Sequence, residues 1–419
     1  MVIESLRSRQ ILDSRGHPTL ETTVDLDIGL SATASVPSGA STGSHEAHEL
    51  RDGDATQYQG LGVLKAVDHV MGPIAKVLKG HDVRHQRAID QAMIDLDGTV
   101  NKSSLGANAM LSVSLAVARV RAMVEKAPLF RSLQEQFDFP AVTASTLPRP
   151  MMNIINGGRH ADTGVKIQEY LIMPGGATTQ EQIARGHDLY EALRTILLSA
   201  GLSTLVGDEG GFAPKLTADE QGLKFLVEAA EQVHLQMPGD LTLGLDIAAS
   251  ELYDPAHERY RFGTNEAGLS SVGMVGLLAE WLDRYPIVSL EDPLAEDDWD
   301  GWADLTAKLG ARCQLVGDDL FTTNRARLEQ GVARMAANAV LIKPNQIGTL
   351  TETVEAILYA YDHQLNVVMS HRSGETTDDF IVDLAVAVGA QYLKAGAPAR
   401  GERVAKYNRL LAIEQVLRS

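Results

Sequence analysis

Gln314-Leu-Val-Gly-Asp-Asp319, Ala339-Val-Leu-Ile-Lys343, Asn366-Val-Val-Met-Ser-His371 and Gln391-Tyr-Leu-Lys394 decide the fold: four short apolar runs, each ending on a charged or ionisable side chain. Asp318, Lys343, His371 and Lys394 follow one another at 25, 28 and 23 residues, about one strand plus one helix each. Two earlier runs have the same form, Leu241-Thr-Leu-Gly-Leu-Asp246 and Pro286-Ile-Val-Ser-Leu-Glu-Asp292. In a βα barrel the C-terminal strand ends converge on one face, where catalysis sits. Three acids (Asp246, Glu291, Asp318) and two lysines (Lys343, Lys394) would meet there as a metal site with a base.

The chain of 419 residues has room for a barrel of about 250 residues and a smaller domain. Its net charge of −18 argues against nucleic acid or an anionic membrane as partner. A small anionic substrate remains open, because a few local cations can dominate a pocket. The single cysteine, Cys313, offers neither an intrachain disulfide nor a cysteine-based zinc motif, and reads as a buried, inert thiol. Acid and base come too early in Met1-Val-Ile-Glu-Ser-Leu-Arg7 for a signal peptide, and no apolar stretch reads as a membrane span of about 20 residues. A cytoplasmic enzyme is expected.

The first 30 or so residues alternate apolar and polar, as in Thr19 to Leu26, and predict strands. Residues 62–79 and 106–126 have helical spacing. The proline-containing, small-residue stretch 141–150 marks a change of domain. The organisation predicted is an α+β domain over 1–138 and a barrel over 139–419, with strands and helices alternating so that the strands run parallel.

Gly39-Ala-Ser-Thr-Gly43 matches the nucleophile elbow of serine hydrolases, but Pro37 and a weak preceding strand speak against it. A small loop able to close over a ligand fits better. Any one of the three strand-end acids could be a helix N-cap; three in succession read as metal ligands. Oxygen donors without cysteine favour Mg²⁺ over zinc. An unpaired ammonium at Lys343 or Lys394 would be costly to bury, whereas a lysine beside a dication loses proton affinity and becomes a usable base. His371-Arg-Ser-Gly374 suits a phosphate or carboxylate. Gly207-Asp-Glu-Gly-Gly211 sets an acid on a glycine-flanked loop, and His160 and Glu169 read as part of the Gly157-Gly158 loop. His45 and His48, flanking Glu46, read as an exposed helix face.

Longer motifs carry a family resemblance over nearly the whole chain. They are Asp13-Ser-Arg-Gly-His-Pro-Thr19, Val36-Pro-Ser-Gly-Ala-Ser-Thr-Gly43, Leu105-Gly-Ala-Asn-Ala109, Met151-Met-Asn-Ile-Ile-Asn-Gly-Gly158, Val206-Gly-Asp-Glu-Gly-Gly-Phe-Ala-Pro214, Asp318-Asp-Leu-Phe321 and Ser370-His-Arg-Ser-Gly-Glu-Thr376. With these the chain resembles the enolases. The resemblance implies an α/β fold with an enolase-like modified (β/α)8 barrel, its first part departing from strict βα alternation, and an N-terminal α+β domain. It also implies two magnesium ions, a homodimer or dimer-based oligomer, and removal of water from 2-phosphoglycerate to give phosphoenolpyruvate in glycolysis.

Carried over residue by residue, Asp246, Glu291 and Asp318 would bind the tighter magnesium, and Ser41 would help hold the second and the substrate. Lys343 would take the proton. Glu209, paired with Glu169, would assist departure of the hydroxyl. Arg372 and Ser373 would grip the phosphate, and Lys394, Gln168, His160 and His371 would line the closed site.

The sequence departs from the family pattern at His17, Arg159, Lys166, Lys215, Pro344 and Gly401. Arg159, Lys166 and Lys215 add positive charge on or beside the site loops. They raise an alternative: a specialised paralogue dehydrating a more anionic carboxyphosphono analogue to carboxyphosphonoenolpyruvate, in phosphinate antibiotic synthesis. An inactive binding relative would have no need of the three ligands, both lysines and the acid pair.

Overall fold

The computed structural model describes residues 1–39, 43–262 and 268–419. The alternating N-terminal pattern forms an antiparallel sheet of β1 (Ile3–Leu12), β2 (Pro18–Leu26) and β3 (Ser31–Ser35), in that order. The first helical stretch is α1 (Leu64–His69) and α2 (Ala75–Leu78), joined by a π turn that holds Pro73. After it come α3 (Gln86–Asp97), α4 (Ala107–Glu125) and α5 (Leu129–Phe137). One expectation needs correcting here. At 19 residues α4 is long and apolar enough to cross a membrane, yet 78% of its most apolar window is buried in the protein, where it packs on β2 and β3 as a core helix.

The closed barrel takes the order β10-β11-β12-β13-β4-β5-β6-β9. It opens with β4 (Arg149–Asn156) and β5 (Glu169–Pro174), followed by α6 (Thr179–Ser199), α7 (Glu220–Gln232) and β6 (Leu241–Asp246). A small ribbon of β7 (Tyr253–Asp254) and β8 (Arg259–Tyr260) precedes α8 (Ser271–Arg284). Regular alternation then runs through β9 (Ile287–Glu291), α9 (Trp299–Leu309), β10 (Gln314–Gly317), α10 (Arg325–Arg334) and β11 (Ala339–Ile342). It finishes with α11 (Leu350–Asp362), β12 (Asn366–Ser370), α12 (Phe380–Val388), β13 (Tyr392–Lys394) and α13 (Gly401–Arg418). All six polar-ended runs are staves.

Strictly parallel alternation fails at one place. β5 is antiparallel to both β4 and β6. A reversed stave brings its first residue, and not its last, to the catalytic rim, so Glu169 lies in register with Asp246.

Side-chain parity explains why the strand-end charges meet, because successive residues of a strand face opposite sides. Leu341, Val316, Val368, Leu171, Met173 and Met151 form a small apolar cluster of their own, the filling of the barrel, while Val340 and Ile342 pack in the outer core. Counting on by two from the inner residues gives Lys343, Asp318, Ser370, Glu169 and Asn153. Glu291 would be out of phase with Asp246 but for an irregularity between the pairs Leu243–Ile287 and Gly244–Ser289, which resets the register so that Asp246 pairs with Glu291.

The N-terminal part meets the barrel through hydrogen bonds and ion pairs that land between Glu296 and Arg400. Examples are Asp90 with Thr351, Lys102 with Glu352, Arg119 with Asp378, and Arg400 with the Ser14 carbonyl. Cys313 sits just before β10, 7% exposed, and burial pushes its thiol up to about 12.

Candidate active site

Lys394, at the end of β13, is the most enclosed cation of the rim. Its Nζ lies 2.8 Å and 2.9 Å from the two oxygens of Glu291, 3.2 Å from Glu169 Oε2 and 3.3 Å from Asp246 Oδ2. Burial alone would strip its proton, but the three carboxylates outweigh that and hold the ammonium well above its usual range. Lys343 donates to Asp318 Oδ2, and its backbone N–H donates to Thr323 Oγ1 at 2.9 Å. Burial pulls its pKa down, and Asp318 and Glu291 bring the net direction up. Pro344 does no violence here: it opens a short 3₁₀ turn, Pro344–Gln346, where its missing N–H costs nothing, and Lys343 keeps the extended backbone that a following proline favours.

The acid side stands across the mouth. Lys343 follows β11 and Glu169 opens β5, and these two staves lie diametrically opposite in the ring. His160 bridges the acid pair, with Nδ1 3.7 Å from Glu169 Oε1 and Nε2 3.8 Å from Glu209 Oε1. Asn153 donates to Glu209 Oε2 at 3.0 Å. Burial and the charge of Glu209 push Glu169 well up, so this pair keeps a proton. Burial also lowers both imidazoles, His371 to about 3, and leaves them neutral. The His371 tautomer is fixed by Arg403, whose guanidinium can only donate. It lies 2.5 Å from Nδ1, so the proton sits on Nε2, 3.4 Å from Glu209 Oε2.

The acids fit a hard dication. Asp246, Glu291 and Asp318 offer oxygen donors only, and burial together with Asp246 raises Glu291 to about 8, more negative charge than the lysines neutralise. Asp292, Asp318 and Asp319 each bring a ligand atom within 4.8 Å of the others, as do His160, Glu169 and Glu209. Asp292 accepts from the backbone N–H of Asp318 at 2.9 Å and of Asp319 at 2.8 Å, so it shapes the turn that presents them. Ala248, Asp292, Thr322 and Thr323 all have positive φ just past β6, β9 and β10, a backbone that non-glycine residues adopt at a cost.

His160, Gln168, Glu169, Glu209, Asp246, Asp318, Lys343, His371, Arg372, Ser373 and Lys394 line one cavity, with Glu291 against Lys394. It leaves only about 20 Å³, room for about one water. Gln168 reaches Asp246 Oδ2 at 3.4 Å, and Ser373 Oγ is 3.4 Å from Arg15 Nη1. Ser41 lies outside the described residues.

The three added cations do not line this cavity. Arg159 pairs with Glu251 at 2.9 Å, and it and Lys166 border a separate cleft of about 350 Å³ that shares only Gln168 with the site. Lys215 is exposed and lines neither. A second correction concerns His45, Glu46 and His48, which lie in a loop and not on a helix. Glu46 turns inward as a carboxylate partner of Arg372, at 2.8 Å and 3.1 Å. Glu169 stands at a strand start and not in the loop before it. Sequence reading also missed Asn153, Gln346 and Arg403. Asn153 and Gln346 sit inside quoted or adjoining motifs, and Arg403, on α13, left no local signal.

Comparison with known proteins agrees with this geometry. The family model described as Enolase, N-terminal domain matches residues 3–133, and Enolase, C-terminal TIM barrel domain matches residues 144–419. The chain is 53% identical over 417 residues to the enolase of Mycobacteroides abscessus, covering 99% of this chain and 95% of that one. It is 51% identical over 416 residues to the enolase of Kineococcus radiotolerans, covering 99% and 94%. With both halves matched and the identity running nearly end to end, this chain belongs to the enolase family.

Proposed function

We infer that this protein is a hydro-lyase that removes water from 2-phosphoglycerate to give phosphoenolpyruvate. The observation that carries the reading is the placement of Lys343 and the Glu169–Glu209 pair on opposite sides of one carboxylate-lined mouth. A proton next to a carboxylate is very weakly acidic, since its removal gives a dianionic aci-carboxylate. Magnesium bound by Asp246, Glu291 and Asp318 would supply the positive charge that stabilises this species. Lys343, just past β11 in the buried mouth, is the base that takes the proton, burial being what favours its neutral amine. The proton that burial keeps on Glu169 passes through His160 to the ionised Glu209, which gives it to the departing hydroxyl. Arg372 and Ser373 hold the phosphate, while Lys394 keeps Glu169, Asp246 and Glu291 in place.

On the family resemblance we also propose two magnesium ions with Ser41 at the second, domains of 1–138 and 139–419, a dimer-based assembly, and a cytoplasmic place in glycolysis. The carboxyphosphono alternative loses its support, because Arg159, Lys166 and Lys215 do not line the cavity. The test is turnover of 2-phosphoglycerate with Mg²⁺, followed by absorbance of the enol product. A rate on the order of 10 s⁻¹ or faster is expected; no turnover by folded, magnesium-loaded protein sinks the reading.

A further inference from the structure

Glu46 is a carboxylate that the N-terminal part brings to the site, with Glu49 also acting on Arg372, and it does more there than neutralise a charge. Its side chain is 8% exposed and that of Arg372 3%. Besides its two contacts with Arg372, Glu46 Oε1 accepts from the backbone N–H of Gly43 at 3.1 Å and faces Gln346 Nε2 at 3.4 Å. The same Gln346 Nε2 donates to Asp318 Oδ1 at 2.9 Å, and Gln346 Oε1 accepts from Thr323 Oγ1 at 2.8 Å. Thr323 Oγ1 in turn accepts the backbone N–H of Lys343. Ala47 N donates to the Gln346 carbonyl at 2.7 Å, which pins the loop from the other side. Arg372 also donates to Asn345 Oδ1 at 3.2 Å.

Resting on the proposed activity, we propose that Glu46 is a positioning residue that aims Arg372 at the substrate phosphate. Through Gln346 it ties that grip to Asp318 and Lys343. The rival role is a competitor that occupies Arg372 until phosphate displaces it. Displacement would leave a buried carboxylate short of its cation, a costly state. A carboxylate held by Gly43 and Gln346 as well is built to stay. An anion reaching Arg372 would therefore share the guanidinium with Glu46, whose fixed position restricts the fork to one orientation.

The two roles differ in sign. Glu46→Ala should raise KM for 2-phosphoglycerate about 10- to 100-fold, with a smaller change in kcat, because the phosphate grip acts in ground and transition states alike. Binding of inorganic phosphate to magnesium-loaded protein, read by titration calorimetry, should weaken by a similar factor. Glu46→Gln, which keeps the shape and one acceptor, should fall between. In an Arg372→Ala background the further change Glu46→Ala should add nothing. Tighter phosphate binding by Glu46→Ala would overturn the proposal in favour of the competitor. An undiminished effect in the Arg372→Ala background would overturn it in favour of a merely structural role. Failure of the wild type to turn over 2-phosphoglycerate would sink the activity, and the calorimetric series would still judge Glu46.

Discussion

From β9 to β13 the barrel repeats strand and helix with all staves parallel, whereas β4, β5 and β6 run up, down and up. The regular half supplies Glu291, Asp318, Lys343 and Lys394, and it is also the half on which the N-terminal part docks. The irregular half supplies His160, Gln168, Glu169, Glu209 and Asp246. The cleft bordered by Arg159 and Lys166 lies on this side as well. One half is braced and, in the proposed reaction, presents the base. The other would present the acid pair and Asp246, one of the three proposed metal ligands. In the proposed reaction, departure of the hydroxyl needs the acid pair, whereas proton removal needs Lys343 together with the metal-binding carboxylates of both halves.

That division can be broken by mutation. Lys343→Ala should cost about 10⁴-fold in kcat, the upper end for a positioned base. It should also abolish exchange of the substrate α-proton with D₂O, followed by NMR. A variant that still exchanges would move the base elsewhere. Glu209→Gln should cost about 10²- to 10³-fold in dehydration yet keep α-proton exchange, since the base side is untouched. Loss of both in parallel would mean that the halves do not act separately.

The brace itself has a pH signature. Asp90 accepts from Thr351 N at 3.0 Å and Thr351 Oγ1 at 2.6 Å, at the start of α11, and burial pushes it up to about 6. In the unfolded chain its pKa is about 3.9. Between these values the folded state holds the proton more tightly. The contribution, about 3 kcal/mol, is therefore fully present below pH 4 and lost as pH rises towards 6. Urea unfolding from pH 4 to 7 should show Asp90→Asn with a flatter fall in stability than wild type. Identical profiles would remove Asp90 from the account. The smallest effect belongs to the loop cations: changing Arg159, Lys166 and Lys215 together to uncharged residues should alter kcat/KM for 2-phosphoglycerate less than about threefold, because exposed charges outside the cavity are screened. A larger loss would bring the outer cleft into the reaction.

The same comparison explains what the sequence could reveal. In the regular half each stave is a largely buried apolar run with a charged or ionisable residue at or just past its end, so Asp318, Lys343, His371 and Lys394 could be read at sight. Glu169 could not be found by that rule, since a reversed stave presents its beginning; it was reached through the motif resemblance. Asp246 was legible, but its pairing with Glu291 depends on a register irregularity that no residue type announces. Glu46 was misjudged because a local pattern of two histidines around an acid says nothing about a partner more than three hundred residues away. The cations at 159, 166 and 215 looked relevant from their loops, and only side-chain direction settles that they stop short.

The lone thiol has a practical use. Cys313 is the sole sulfhydryl, 7% exposed, with its ionisation suppressed by burial up to about 12. Thiolate is the reactive form, so labelling reagents should modify the native enzyme slowly, at the pace at which the edge of β10 opens. Each molecule thus carries a single built-in reporter of how often the regular half of the barrel comes apart, and no tag or added probe is required to read it.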